Sequence, residues 1–266
     1  MKRRSLLVAA LLLLTGCSQS TAEKFHDGGI PVTFYFVSDT PRGFKLFSET
    51  QKFIVEEGDL NLQVVSDLVS GAVTPLDPQY ANLWGQGNKV NSVTVDQSRA
   101  TVDLATLKLN VGAESEQRAI DQIVWTLTEF APNIKAVSFT VNGETVESFA
   151  GHVDTTGLFE RAIGYEVLNP IQISSVNQGA ELTSSITISG QACTFEANVL
   201  WKLSQDGKVL QEGFTTASSG CPERGQWSIT LSDLPQGNYT FAALEYSAEN
   251  GSLFAIDDKE FVVINQ

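Results

Sequence analysis

Hydrophobic periodicity changes once along this chain, near Gly157, and that change limits the fold more than any other feature. Before it, apolar residues recur at alternate positions in some stretches. In others they recur at the i, i+3, i+4, i+7 spacing that makes one face of a helix apolar. After it the helical spacing disappears and only short alternating runs remain. The pattern is that of an α+β chain, with an α/β first half and an all-β second half.

In the first half, "PVTFYFV" (31–37) and "KLFSETQKFIV" (45–55) read as strands. "DLNLQVVSDLVSG" (59–71) reads as a helix with Asp59 as N-cap, Gly71 as stop and an apolar stripe of Val64, Val65, Leu68 and Val69. "NSVTVDQSRATVDLA" (91–105) is a hairpin in which Val93 and Val95 answer Val102 and Leu104. The best helix is "ESEQRAIDQIVWTLTEF" (114–130), with Ile120, Ile123, Val124 and Leu127 as its stripe. Glu114 and Glu116 suit the positive end of its dipole, and Pro132 ends it. "KAVSFTVNGETVES" (135–148) reads as a second hairpin, because Asn142-Gly143 fits a type I′ turn. One sheet with two helices packed on it is the economical arrangement.

At the start of the chain, Lys2, Arg3 and Arg4 precede a leucine-rich run that stops at Cys17. The run is far shorter than the roughly 20 residues a helix needs to cross a bilayer. A charged start, a short apolar middle and small residues before a cut form a removable export signal. Leu14-Thr15-Gly16-Cys17 resembles a bacterial lipobox, in which the cysteine thiol receives a lipid and becomes the mature N-terminus. Residues 18–29 then read as a polar tether.

Beyond Gly157, seven segments read as strands: 171–176, 185–195, 198–203, 208–216, 225–231, 237–247 and 259–265. Seven short strands with turn signals between them argue an immunoglobulin-like sandwich. Tyr239 takes the tyrosine-corner position and Trp201 that of the buried strand-C aromatic. Cys193 and Cys221 are the two cysteines besides Cys17, and outside the cytoplasm an isolated pair is most simply a disulfide. It would close a loop of about 29 residues, worth about 3.5 kcal/mol in the chain-entropy model. Cys221 lies in a loop, so the bond tethers that loop and does not staple the two sheets.

The formal net charge is −14, and it grows more negative once the segment with Lys2, Arg3 and Arg4 is removed. With no block of Lys or Arg to reverse it locally, nucleic-acid binding is not expected. Catalytic and metal chemistry find little to work with. His26 and His152 are the two histidines, and metal or triad sites need several converging ligands. The acid pairs Glu56-Glu57 and Asp257-Asp258 read as solvated turns, and "LWGQGNKV" lacks the helix and lysine of a phosphate loop. No catalytic residue, metal site or cofactor is assigned. Trp84 and nearby Tyr80 sit in a loop bounded by Pro and Gly. They are either an exposed aromatic platform for a sugar or partner, or rings tucked onto the sheet. Trp125 reads as the edge of a core stripe and Trp227 as core.

Several of these stretches resemble a known pair of modules. Phe34-Tyr35-Phe36, "NSVTVDQSRATVDLA", "AIDQIVWTLTEFAPNIKAVSFTVNGETV" and Gly151-His152 resemble a GerMN domain, the module named for a sporulation and germination protein. "NPIQISSVNQGAELTSSITISGQA" resembles the opening of the Gmad immunoglobulin-like domain that accompanies such proteins. The expected organisation is a signal peptide over 1–16, a tether over 17–29 and a GerMN-like domain over 30–156. A linker over 157–168 and an immunoglobulin-like domain over 169–266 complete it. The resemblance implies docking domains with no catalytic residues, similar to ring-building modules of envelope assemblies. The expectation is therefore a non-enzymatic lipoprotein on the extracytoplasmic face of the cell membrane, held by its lipid. It would contact envelope proteins or itself by self-association. The alternative is peptidoglycan or small-ligand binding through Tyr80 and Trp84.

Overall fold

The computed structural model describes residues 29–264, so the export signal, Cys17 and His26 lie outside the described residues. The chain opens with a long antiparallel hairpin, β1 (Gly29–Thr40) and β2 (Gly43–Ile54), which stands as a two-stranded sheet. Helix α1 (Leu60–Ser70) follows. Asp59 caps it by accepting the N–H groups of Asn61 and Leu62, and Gly71 ends it at φ 75°, a conformation that costs glycine little. The expected stripe of Val64, Val65, Leu68 and Val69 is buried. Strands β3 (Lys89–Asp96) and β4 (Arg99–Thr106) form the expected hairpin. Val93 faces Val102, but Val95 faces Ala100, and shifts in register bring Leu104 opposite Val90. After α2 (Ala113–Phe130) come β5 (Ala136–Val141), parallel to β4, and β6 (Phe159–Glu160), giving a four-stranded sheet in the order β3-β4-β5-β6.

Two expectations for this half are corrected. There are two sheets where one was expected, because the free edge of β1 is already occupied. The Tyr35 N–H donates to Thr126 Oγ1 at 3.2 Å, and the Gln122 Nε2 donates to Tyr35 O at 2.9 Å. Val37 and Ala81 exchange two backbone bonds beside them. An edge satisfied by helix side chains and a loop cannot pair with another strand, and this explains why Gln122 and Thr126 are polar yet fully buried. The second hairpin stops after one bridge, Val141 to Glu144, although Asn142 and Gly143 do take the positive φ of the expected turn. Beyond it the chain turns inward to bury Phe149 edge-on to Phe139 and Trp84. Packing that ring outweighs extending a strand.

The stretch 157–168 contributes β6 to the first half's sheet and a short helix, α3 (Gly164–Val167). The second half contains β7 (Ile171–Ile173), β8 (Ala180–Leu182), β9 (Ile186–Ala192), β10 (Asn198–Gln205), β11 (Lys208–Thr216), β12 (Gly225–Leu231), β13 (Gly237–Tyr246) and β14 (Leu253–Val263). They form a five-stranded sheet, β11-β10-β13-β14-β8, and a three-stranded sheet, β12-β9-β7. All seven expected strands are present. Strand β8 is additional, and β14 begins at Leu253, ahead of the expected start at Lys259.

Ile188, Val199, Leu203, Phe241 and Phe261 fill the space between the sheets. Trp201 and Trp227 both stack on Phe241, with centroids 6.0 and 6.4 Å away. The Tyr239 hydroxyl donates to Pro235 O at 2.9 Å, which is the tyrosine corner. Cys193, just past β9, is disulfide-bonded to Cys221. No helix among the described residues is long and apolar enough to cross a membrane.

Candidate functional site

Strand β1 is apolar on both faces because it lies between two cores. Val32, Phe34 and Phe36 enter the core of the first module. Tyr35 and Val37 point the other way, into a separate cluster with Leu46, Trp125, Val167 and Leu168. That cluster packs the 157–168 connection onto the first module at the junction, so Trp125 belongs to the junction and is not merely the edge of a helix stripe. Polar bonds run alongside it. Asn169 N and Gln172 Nε2 both donate to Leu46 O, at 3.0 and 2.9 Å, and Ser48 Oγ donates to Gln172 Oε1 at 3.0 Å.

A buried charge network lies across the same junction. Lys259, on β14, sends Nζ to Asp257 Oδ1 at 2.7 Å and, in the other module, to Asp77 Oδ2 at 2.9 Å and Tyr80 Oη at 2.6 Å. The Tyr80 hydroxyl donates to Asp257 Oδ1 at 2.8 Å, and Asp257 Oδ2 accepts the Ile173 N–H at 2.6 Å. Asp77 is fixed from behind, since its N–H donates to Glu49 Oε1 at 2.9 Å. Lys259, Asp77 and Asp257 are 2–4% exposed. Burial works against the Lys259 charge, but Asp257 and Asp77 outweigh it and hold the ammonium above its ordinary value. Burial, then the same two carboxylates, pushes the Tyr80 phenol well up, so it stays a neutral donor. The arrangement is a fully partnered ion cluster, suited to fixing geometry.

The sequence-derived site residues fare differently against this geometry. The exposed aromatic platform at Tyr80 and Trp84 does not exist. Tyr80 is 8% exposed and stacks on Phe47, and Trp84 is 2% exposed and donates Nε1–H to Ala119 O at 2.8 Å. Both rings found more apolar area and a buried hydrogen-bond partner inside than a surface loop offers. Asp257-Asp258 is not a solvated turn either. The inward alternation of Phe261 and Val263 continues upstream through Lys259, Asp257 and Ala255. That parity, with opposite charges two residues apart on one strand face, was the available signal for the missed cluster.

His152 is exposed, and its backbone serves the structure. Its N–H, with those of Phe149 and Ala150, donates to the buried Glu116 carboxylate at 2.8–2.9 Å. Burial opposes the Glu116 charge, but these donors prevail and hold its carboxyl below the usual range. Glu116 therefore anchors the Gly151-His152 loop as well as lying in the first turn of α2. Among the described residues no three His, Cys, Asp or Glu side chains gather as a metal site.

Family models match both modules. Residues 33–147 match Germane, described as sporulation and spore germination. Residues 170–252 match Gmad2, the immunoglobulin-like domain of bacterial spore germination. Among solved structures, the tandem GerMN domains of the sporulation protein GerM from Bacillus subtilis share 19% identity over 54% of this chain and 49% of theirs, with a TM-score of 0.41. The first GerMN domain of that protein alone gives 19% identity over 48% of this chain and 94% of its own length, with a TM-score of 0.36. A Clostridium perfringens protein described as a lipoprotein gives 23% identity over 50% and 89%, also with a TM-score of 0.36. The chain spans about half the length of the tandem GerM structure. No curated protein gives a match.

Proposed function

We propose, from the premise that this chain joins a Germane domain to a Gmad2 immunoglobulin-like domain, that it is a non-enzymatic lipoprotein of the cell envelope that docks other proteins. Cys17 carries the lipid and holds the chain on the extracytoplasmic face of the membrane. The two modules work as one rigid arm, and the observation that carries this reading is the Lys259 cluster. A buried lysine shared between Asp77 of one module and Asp257 of the other resists reorientation, since any swing strands charge in the interior. A fixed arm presents the edges of its two modules in a set orientation to one another. Strand β11 is one such edge, with Leu210 and Phe214 exposed at 47% and 70%. Helix α2 is covered along most of its length, so contact through a helix face is not part of the reading.

Photo-crosslinking the intact lipoprotein in living cells, with the probe on β11, tests it. Recurrent capture of particular envelope proteins, or of the protein itself, is the expected result. Lys259→Met should weaken that capture without moving the protein from the membrane, whereas Cys17→Ser should release it into the soluble fraction. Capture of wall fragments with no protein partner would overturn docking in favour of peptidoglycan binding, a reading that has lost Tyr80 and Trp84 as exposed contacts.

A further inference from the structure

The junction also holds a polar cleft of about 350 Å³, whose walls include Tyr35, Trp125, Arg161, Gln172, Gln191 and Arg224. Its two arginines are held in contrasting ways. Arg161 is fully engaged: Nε donates to Thr128 Oγ1 at 2.7 Å, a terminal nitrogen pairs with Glu129 at 2.7 Å, and the guanidinium lies 4.6 Å from the Trp125 ring centre. Arg224 meets no carboxylate among the described residues. One terminal nitrogen donates to Asn169 O at 2.9 Å, the other reaches Gln191 O at 3.5 Å, and its buried Nε has no acceptor. Trp125 Nε1, in a side chain 6% exposed, also lacks an acceptor.

A guanidinium keeps its proton at neutral pH, so a largely enclosed one without a counter-anion is unfavourable until an anion arrives. Burial lowers Arg224 to about 10, with Tyr35 acting in the opposite direction. Gly164 lines the same cleft, where even a small side chain would rest against Arg224 and Trp125. A Cβ there would lie 3.9 Å from both Arg224 Cδ and the Trp125 ring. The net charge of −14 gives anions no long-range attraction, so recognition must rest on short contacts inside the cleft.

We propose that this cleft binds a small polar molecule through its carboxylate, with Arg224 as the charge partner and the Gln191 amide beside it. Planar, paired N–H donors match a carboxylate better than a sphere of charge does. A sugar acid and the C-terminus of a short peptide present the same group, and the test separates them. Calorimetric titration of the full chain in detergent would use glucuronate and N-acetyl-alanine, with glucose and N-acetyl-alaninamide as uncharged counterparts.

At least one acid should bind about tenfold tighter than its counterpart, and whichever acid binds names the source. Arg224→Gln should remove that preference, with the thermal transition showing that the variant folds. Gly164→Leu fills the cleft without altering charge and should weaken the same acid, which covers the case of an unfolded Arg224 variant. Three results would overturn the assignment: no binding of either acid up to about 10 mM, equal affinity for acid and counterpart, or unchanged affinity in a folded Arg224→Gln protein.

Discussion

Replacing Lys259 by methionine isolates the charge network from the packing around it, because methionine keeps most of the apolar stem. In the native protein the ammonium lies 2.9 Å from Asp77 and 2.7 Å from Asp257. Two unit charges at 2.9 Å attract by roughly 6 kcal/mol at an effective dielectric of about 20. Desolvation offsets much of this, so the pair adds far less in net terms than its Coulomb energy. Breaking it is another matter. Removing one partner of a buried pair costs about 3–5 kcal/mol, because the surviving charge stays buried. Two carboxylates survive here, each 2–4% exposed, which places Lys259→Met near the top of that range.

Urea unfolding at neutral pH, followed together by circular dichroism and tryptophan fluorescence, measures the loss and checks that the transition is two-state. Adding Asp77→Asn and Asp257→Asn to Lys259→Met should recover about 2 kcal/mol or more, since the two carboxylates stranded by the loss of Lys259 are then neutral. The native protein should also lose stability in alkali. The lysine contribution is fully present below the ordinary value of 10.5 and disappears as pH rises through its raised folded value. A loss under about 1 kcal/mol for Lys259→Met, the size of an exposed pair, would refute the reasoning. So would a triple variant no more stable than the single one.

Other substitutions follow from the same geometry. Glu116→Gln removes the charge that three loop N–H groups address, and should cost about 2 kcal/mol at neutral pH. The Glu116 contribution is present above the ordinary glutamate value of 4.5 and vanishes as pH falls through its lowered folded value, so acid melts of the variant should be flatter below that pH. Tyr239→Phe deletes the bond to Pro235 O and should lower stability by about 1 kcal/mol in urea titration. Replacing Cys193 and Cys221 together by serine should cost about 3.5 kcal/mol by the same measurement, matching the loss on reduction of the native protein.

Much of the fold was legible locally. The Asp59 cap, the Gly71 stop and both helical stripes follow from residues within a few positions of one another, and the structure contains them as read. The seven strands and the tyrosine corner of the second half were equally local, because alternation and turn chemistry act over neighbouring residues. Long-range placement was not legible in this way. Nothing in "PVTFYFV" distinguishes a strand covered by one sheet's core from one buried on both faces, and only the packing of Trp125 and of Val167 and Leu168 onto its second face decided that. Gln122 and Thr126 look like polar breaks in a helix stripe until they meet the edge of β1.

The Tyr80 loop shows the same limit, since an aromatic between Pro and Gly can lie outward or inward. Its partner Lys259 is 179 residues away. By itself the sequence determined the two long helices with their stops, most of the strands, and that two kinds of module follow one another. Only the tertiary structure decided which faces meet, and with that the Asp77–Lys259 cluster and an Arg224 that meets no carboxylate among the described residues. The physical reason is range: hydrogen-bonding periodicity is a property of adjacent residues, whereas burying a charge beside its counter-charge requires elements far apart in the chain to close around both.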